Sequence, residues 1–122
     1  MVTVDSDNLS RDVSRAMVKL LKDHIGRGPS YARAHIHDDL IVVMLRATMT
    51  EAERTLADEG EEDLVRNIRQ ALNGTFRQQA SEIVEQLTGR KVSSFLSDHD
   101  VERDIVVQAF VLVPQPDSAA GA

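Results

Sequence analysis

The sequence predicts an α+β fold, in which a roughly four-stranded antiparallel sheet packs on a long helix and an N-terminal helix. The first observation is the segment Glu62 to Leu87, where apolar residues recur at three- and four-residue steps, as they do along one side of a helix. Gly89 then ends the helix, because glycine readily adopts the left-handed conformation found just past a helix end. The second observation is a pair of strand-rich segments, one on each side of this helix. The apolar stripe consists of Leu64, Val65, Ile68, Leu72, Phe76, Ala80, Ile83, Val84 and Leu87.

Length and composition indicate a single domain with an aliphatic core. The chain has 122 residues, of which 42% are hydrophobic and only 3% aromatic, and this is enough to build one core. We expect residues 9–113 to form the domain, residues 1–8 to be flexible and residues 114–122 to be a disordered tail.

Charge and cysteine content exclude several classes of function. A net charge of −6 argues against a nucleic-acid binder, which normally has a basic face. The chain has no cysteine, so thiolate metal sites, disulfides and cysteine nucleophiles are excluded. The segment Met1 to Ser10 is polar, unlike a secretory signal, and no apolar run is long enough to span a bilayer. We therefore expect a cytoplasmic protein without a transmembrane segment.

An N-terminal helix and a hairpin are expected in the first part of the chain. The helix runs from about Leu9 to Ile25, and Gly26 ends it. Tyr31 to His37 alternates between polar and apolar residues, which is typical of a half-buried strand. After a turn at Asp38-Asp39, the unbroken apolar run Leu40 to Leu45 predicts a strand covered on both faces, either central in the sheet or at a subunit contact.

Two further helices are expected in the middle of the chain. Thr50 and Glu53 have the spacing of a capping box and begin a short helix that ends at about Asp58. In the long helix, Asn73-Gly74 lies near the middle, where glycine costs about 1 kcal/mol relative to alanine. The apolar stripe continues in phase beyond this point, which favours one helix over two. On its solvent side we place Arg66, Arg69 and Arg77.

A second hairpin completes the fold. Its strands are expected at Val92 to Leu96 and Ile105 to Val113, on either side of a polar turn from Ser97 to Arg103. The order is therefore α-ββ-α-α-ββ. If the two hairpins pair, they form one antiparallel sheet with the helices on one face.

Short motifs along the chain match a known family. They are Gly26-Arg27-Gly28-Pro29, Leu40–Leu45, Met49–Leu56, Val65–Arg69, Thr88–Val92, Ser97-Asp98 and Phe110–Leu112. In these motifs the chain resembles the YbcI-like family of small bacterial proteins, over roughly Leu9 to Val113. Met49 stands where leucine is expected. The resemblance implies a single-domain bacterial protein of uncharacterised function, with no catalytic residues to transfer.

Two histidines are candidates for a metal or ligand site. His35 and His37 lie on one face of a strand, a spacing that can present two imidazoles to a metal ion. Asp98, His99 and the neighbouring Asp100 lie in the expected turn of the second hairpin, and pairing of the hairpins would bring both groups together. The simpler interpretation is exposed strand and turn residues, and the sequence favours it because no third ligand is defined. We expect no metal and no cofactor.

Arginines suggest a binding site for an anion or an acidic group. Arg27 and Arg90 each follow a helix-ending glycine, where they either bind an anion or complement the negative end of the helix dipole. If the strand registers allow, Arg33, Arg46 and Tyr31 lie on the sheet face turned away from the helices. There they either form a basic, partly aromatic surface for an acidic ligand or are ordinary exposed strand residues, and the sequence favours the latter. The candidate ligand-binding residues are therefore Arg27, Tyr31, Arg33, His35, His37, Arg90 and Asp98.

These observations favour a non-enzymatic cytoplasmic accessory or adaptor protein that binds another protein. No arrangement of nucleophile, base and acid can be defined. We also expect a two-fold homodimer, formed through the long helix, through Leu40–Leu45 or through both, because the apolar stripe is longer than one small sheet can cover. The alternatives are a regulatory module that binds a small molecule or anion and, third, a metal-dependent enzyme built on the two hairpin turns.

Overall fold

The computed structural model describes residues 8–115, and these form three helices and four strands. The helices are α1 (Asn8–Ile25), α2 (Glu51–Asp58) and α3 (Glu62–Thr88). The strands are β1 (Tyr31–His37), β2 (Leu40–Arg46), β3 (Val92–Asp100) and β4 (Ile105–Leu112). The predicted α+β class and the order α-ββ-α-α-ββ are confirmed. Of the ends predicted to be flexible or disordered, residues 1–7 and 116–122 lie outside the described residues.

The two hairpins join into one antiparallel sheet with the strand order β1-β2-β4-β3. The junction is the pairing of β2 with β4, in which Leu40 lies opposite Val111 and Arg46 opposite Ile105. Strands β1 and β3 are therefore the two edges of the sheet. The turn between β1 and β2 and the turn between β3 and β4 lie at opposite ends of the strands, because paired antiparallel hairpins point in opposite directions.

The core lies between the helices and one face of the sheet. Alternate strand residues face it, as the period of two requires. Phe76 and Phe110 are among its largest fully buried side chains. Helix α1 packs on β1 and α3, and α3 packs on β3. The buried residues of this core are Val13, Met17, Leu20, Leu21, Ala32, Ala34, Ile41, Val43, Leu45, Phe76, Ala80, Val84, Phe95, Val106, Phe110 and Leu112.

Helix α3 runs unbroken through Asn73-Gly74, as predicted. Gly89 adopts the left-handed conformation, with φ +70°, and its N–H donates to Glu85 O. Part of the predicted stripe is not covered, since Leu64, Ile68 and Leu87 are exposed. The N-terminal part of α3 instead contributes Val65 to a second small core beside α2.

Strand β3 is longer than predicted. The polar segment Ser97 to Asp100, expected to be a turn, continues the strand, and the turn takes only residues 101–104. Side chains along a strand alternate between the two faces of the sheet, and these polar residues fit that alternation. His99 faces the helices and is buried, whereas Asp98 and Asp100 face the other side and are exposed. Strand β4 ends at Leu112, one residue earlier than predicted.

Replacing Gly74 by alanine should raise the free energy of unfolding by about 0.5–1 kcal/mol, because alanine restricts the unfolded chain and favours helix. A Cβ at this position would meet no atom within 4 Å. The measurement is urea denaturation followed by circular dichroism. Gly89→Ala is the matched control and should be destabilising, since its positive φ strains any residue with a Cβ. A loss of stability in Gly74→Ala would contradict a straight helix at this point.

Candidate functional site

The sheet has one face that no described element covers. We call it the open face. Its side chains alternate with those of the core, and none of them is buried. It comprises Tyr31, Arg33, His35 and His37 of β1, Leu40, Val42, Met44 and Arg46 of β2, Ile105, Val107, Ala109 and Val111 of β4, and Ser94, Leu96, Asp98 and Asp100 of β3.

The middle of the open face is apolar. Strands β2 and β4 contribute eight side chains to the centre of this face. Seven of them are hydrophobic, and only Arg46 is charged. Leu40 is 41% exposed and Val107 is 39% exposed, and on the neighbouring edge strand Leu96 is 58% exposed. Continuous apolar patches of this kind, bordered by polar residues, mark interaction surfaces on soluble domains.

The open face is cationic on the side of β1 and the neighbouring end of β2. The Arg33 Cζ lies 5.9 Å from the centroid of the Tyr31 ring, and the Arg46 Cζ lies 5.5 Å from it. Both are within the range of cation–π attraction. Neither guanidinium has an acidic partner among residues 8–115. The predicted grouping of these three residues away from the helices is confirmed, and both positive charges are available to a ligand or partner.

The opposite edge of the open face is acidic. Asp98 and Asp100 lie on β3, and Asp98 accepts a hydrogen bond only from the adjacent His99 N–H among described residues. Asp100 is paired with Arg103, with 3.2 Å between Oδ2 and Nη1. Between these aspartates and Val107 lies a shallow open hollow of about 340 Å³, also lined by His99 and Ile105.

The histidines do not form a metal site with the second hairpin. His35 and His37 share the open face of β1, as predicted, but Asp98 and Asp100 lie on the far edge strand. The expected convergence is therefore wrong, because the hairpins pair through β2 and β4. Within residues 8–115, no group of three or more His, Cys, Asp or Glu side chains is arranged to hold a metal ion.

Arg27 and Arg90 lie at opposite ends of the sheet. The Arg27 side chain is exposed, and its Nε donates to Ala47 O at 3.3 Å. The Arg90 guanidinium binds the turn between β1 and β2 through Asp38 O and the Asp39 carboxylate, and it also donates to Val113 O at 3.0 Å. Arg90 thus fastens this turn to the end of β4, and it does not join Arg27 or Arg33 in one site.

A buried ion pair that we did not predict joins α2 to α3. Arg69, expected on the solvent side, is only 5% exposed. Its Nε and Nη2 donate to the two carboxylate oxygens of Glu53 at 2.6 and 2.9 Å, and its remaining donors reach Thr48. Glu53 also closes the predicted capping box with Thr50. Burial opposes ionisation of Glu53, but the hydrogen bonds from Arg69 and Thr50 outweigh it and lower its pKa.

A second buried group, Asp104, ties the turn between β3 and β4 to the segment before α2. Its carboxylate accepts hydrogen bonds from Met49 N–H at 2.9 Å and from Thr48 Oγ1 at 3.0 Å. The His99 Nε2 lies 3.0 Å from Asp104 Oδ1; an ionised carboxylate can only accept, so Nε2 is the donor. Burial opposes ionisation, yet these hydrogen bonds hold the Asp104 pKa far below its usual range.

These buried groups do not form a pocket for a metabolite. The cavity beside them, lined by Arg69, Asn73, Ser97, His99 and neighbouring apolar residues, has a volume of about 10 Å³. That is the space of a single water molecule. Every carboxylate oxygen of Glu53 and Asp104 is already hydrogen-bonded. Glu53, Arg69 and Asp104, which we call the buried clasp, hold neighbouring elements together. The open face is the candidate functional site.

Comparison with known proteins places the chain in a family. The family model described as "Na+-translocating membrane potential-generating system (MpsC)" matches residues 5–113. The chain is also similar to "Uncharacterized protein YbcI" of Bacillus subtilis (strain 168), with 28% identity over 92 residues that cover 75% of this chain and 74% of the relative. The resemblance inferred from the motifs is confirmed. No solved structure matches. No helix within residues 8–115 has both the length and the apolar character needed to cross a bilayer.

Proposed function

Because the chain belongs to the family of the Na+-translocating membrane potential-generating system (MpsC), we propose that it serves such a system as a non-enzymatic accessory protein. It acts by binding protein, and the open face is its contact surface. The uncovered, apolar centre of that face is the observation that carries the proposal. An apolar surface between two charged edges gains free energy when a protein covers it, and the charges select the partner and its orientation.

The state of the titratable groups supports a non-enzymatic role. General acid–base catalysis works best with a pKa near the working pH. The buried carboxylates have the opposite character, since Glu53 and Asp104 have lowered pKa values and their oxygens are occupied by structural hydrogen bonds. Both carboxylates are therefore ionised at neutral pH, which suits a structural role.

The second candidate is an anion-binding regulatory module. It is favoured by Arg33 and Arg46, two cations beside Tyr31 that have no acidic partner in the described part of the chain. Inorganic phosphate separates the two functions, because a ligand that binds the folded state raises the melting temperature by mass action. A rise in millimolar phosphate that is absent in Arg46→Ala would favour the anion module.

Deletion of the gene in the native host should remove most of the Na+-dependent part of the membrane potential, as measured with a voltage-sensitive dye in sodium and in potassium media. The wild-type chain should restore it. Val107→Glu, which puts a charge in the apolar centre of the open face, should not. Leu87→Glu is the matched control, because Leu87 is 37% exposed and Val107 39% exposed, but Leu87 lies on α3.

Two results would contradict the proposal. An unchanged Na+-dependent potential in the deletion strain would remove the link to the system. Full restoration by Val107→Glu at normal protein level would show that the open face is not the contact surface.

A further inference from the structure

We propose that a second copy of this chain covers the open face, with the two sheets related by a two-fold axis that runs parallel to the strands. The inference rests on the proposed function in treating the open face as a protein-contact surface, and it names the occupant and its orientation.

The register of the sheet arranges the open face in four rows, each crossing all four strands. From one end of the strands to the other, they are Tyr31-Arg46-Ile105-Asp100, Arg33-Met44-Val107-Asp98, His35-Val42-Ala109-Leu96 and His37-Leu40-Val111-Ser94. In the first two rows, a basic or aromatic residue stands at the β1 edge and an aspartate at the β3 edge. The charges are therefore separated across the sheet and concentrated at one end of it.

A two-fold rotation about an axis parallel to the strands keeps every row in place and reverses the order of the strands. Strand β1 of one chain then lies over β3 of the second copy, and β2 lies over β4. Because the contact is isologous, each such pairing occurs twice. Stacked sheets lie about 10 Å apart and about 30° from parallel, so partners in the same row remain neighbours.

This orientation matches opposite charges at both edges and apolar residues in the middle. Arg33 lies over Asp98 of the second copy, and Tyr31 lies over Asp100 of the second copy. In the centre, Met44 lies over Val107 of the second copy. Arginine is the preferred residue for such interface ion pairs, since its guanidinium is weakly hydrated and binds carboxylates in a bidentate fashion.

The alternative two-fold axis, perpendicular to the strands in the plane between the sheets, does not match. It would place β1 over β1 and β3 over β3 and reverse the order of the rows. Arg33 would then face His35 of the second copy, Asp98 would face Leu96, and Asp100 would face Ser94. None of these charges would meet an opposite charge, and a charged group that loses water at an interface without such a partner weakens the contact. The charge pattern thus selects the axis parallel to the strands.

The hollow at the acidic edge fits the same arrangement. Its volume is about 340 Å³, and its walls are Asp98 and Asp100 with Ile105 and Val107 beside them. Under the rotation, Tyr31 and Arg33 of the second copy enter this hollow, which offers carboxylates to the guanidinium and an apolar wall to the ring.

The size of the open face predicts a weak dimer. Four strands about 4.8 Å apart and roughly seven residues at about 3.4 Å each give an area of roughly 450 Å² per chain. Stable interfaces bury about 800 Å² per partner, and smaller ones are typical of transient contacts. We therefore expect a dissociation constant in the micromolar range, weakened by salt.

Sedimentation equilibrium over a range of protein concentrations tests the inference. Wild type should dimerise, whereas Arg33→Asp alone and Asp98→Arg alone should each dissociate at least about tenfold more readily, because each brings like charges together. An equimolar mixture of these two variants should regain the dimer, since each reversed charge then meets its opposite in the other chain. Arg15→Asp, an exposed reversal on α1, is the control and should dimerise as wild type does.

Three results would overturn the inference. They are a wild type that is monomeric at about 100 μM, well above a micromolar dissociation constant, single variants that dimerise as tightly as wild type, and a mixture that dimerises no more tightly than either variant alone. Failure of the dimer can be distinguished from failure of the proposed function. A monomeric wild type whose Val107→Glu variant still fails in the host removes the dimer and leaves the accessory role. A confirmed dimer with a fully active Val107→Glu variant keeps the dimer and removes that role for the open face.

Discussion

Arg69→Met should lower the free energy of unfolding by about 3–5 kcal/mol, the usual cost of removing one partner from a buried ion pair. Methionine retains much of the volume but leaves the Glu53 carboxylate buried without the two hydrogen bonds that Arg69 donates. It also removes the donors that satisfy Thr48 O and Thr48 Oγ1. The measurement is urea denaturation at neutral pH, where both residues of the wild-type pair are charged.

Two controls show whether the loss of unfolding free energy arises from the Glu53 charge that Arg69→Met leaves unpaired. Adding Glu53→Gln to Arg69→Met should recover more than half of the lost stability, because glutamine can still complete the capping box and carries no charge. Arg66→Met, which breaks the exposed pair with Asp63, should cost less than about 1 kcal/mol. Equal losses for Arg66→Met and Arg69→Met would contradict the buried clasp.

Asp104→Ala should lower the free energy of unfolding by about 3 kcal/mol or more at neutral pH, because it removes hydrogen bonds to a buried charged group and strains the backbone. Asp104 has φ +52°, a conformation that aspartate and asparagine tolerate better than alanine. The variant also leaves Met49 N–H and His99 Nε2 without their acceptor. Thermal and urea denaturation measure the loss.

The lowered pKa of Asp104 gives this prediction a pH dependence. A carboxyl whose pKa is lower in the folded than in the unfolded state stabilises the fold fully above its unfolded pKa of about 3.9. That contribution declines as the pH falls below this value toward the folded pKa. Wild type should therefore lose stability steeply below about pH 4, and Asp104→Ala less steeply. Asp104→Asn keeps the backbone conformation and should show the same shallower slope; parallel slopes in all three proteins would contradict the assignment.

Local patterns were sufficient to predict most of the fold. The stripe from Val65 to Val84 identifies one helix because its spacing depends only on neighbouring residues. The capping box at Thr50 is likewise local. Alternation in β1 correctly placed Tyr31, Arg33 and His35 on one face of the strand. That face became the cationic edge of the candidate site.

The parts that were wrong depend on contacts distant in sequence. The polar residues after Leu96 predict a turn, although their alternation continues through Asp98 to Asp100. The strand continues there because these residues pair with β4, which lies later in the chain. Arg69 lies four residues after the buried Val65, a spacing that places both on the same side of the helix. The spacing thus indicates burial, but a charged side chain is expected in solvent. Nothing local to Asp104 indicates that its partners are Thr48 and Met49.

The most direct test of the open face as a covered surface is the exposure of Met44 in the purified protein. Met44 lies in its centre, while Met17 and Met49 are buried elsewhere and serve as references. Methyl-labelled methionine and a water-soluble paramagnetic agent report exposure by NMR line broadening. At a protein concentration between the dissociation constants of the two proteins, the dimer predicts a protected Met44 methyl in wild type and a strongly broadened one in Arg33→Asp, with Met17 and Met49 sharp in both. Equal, strong broadening of Met44 in the two proteins would contradict it.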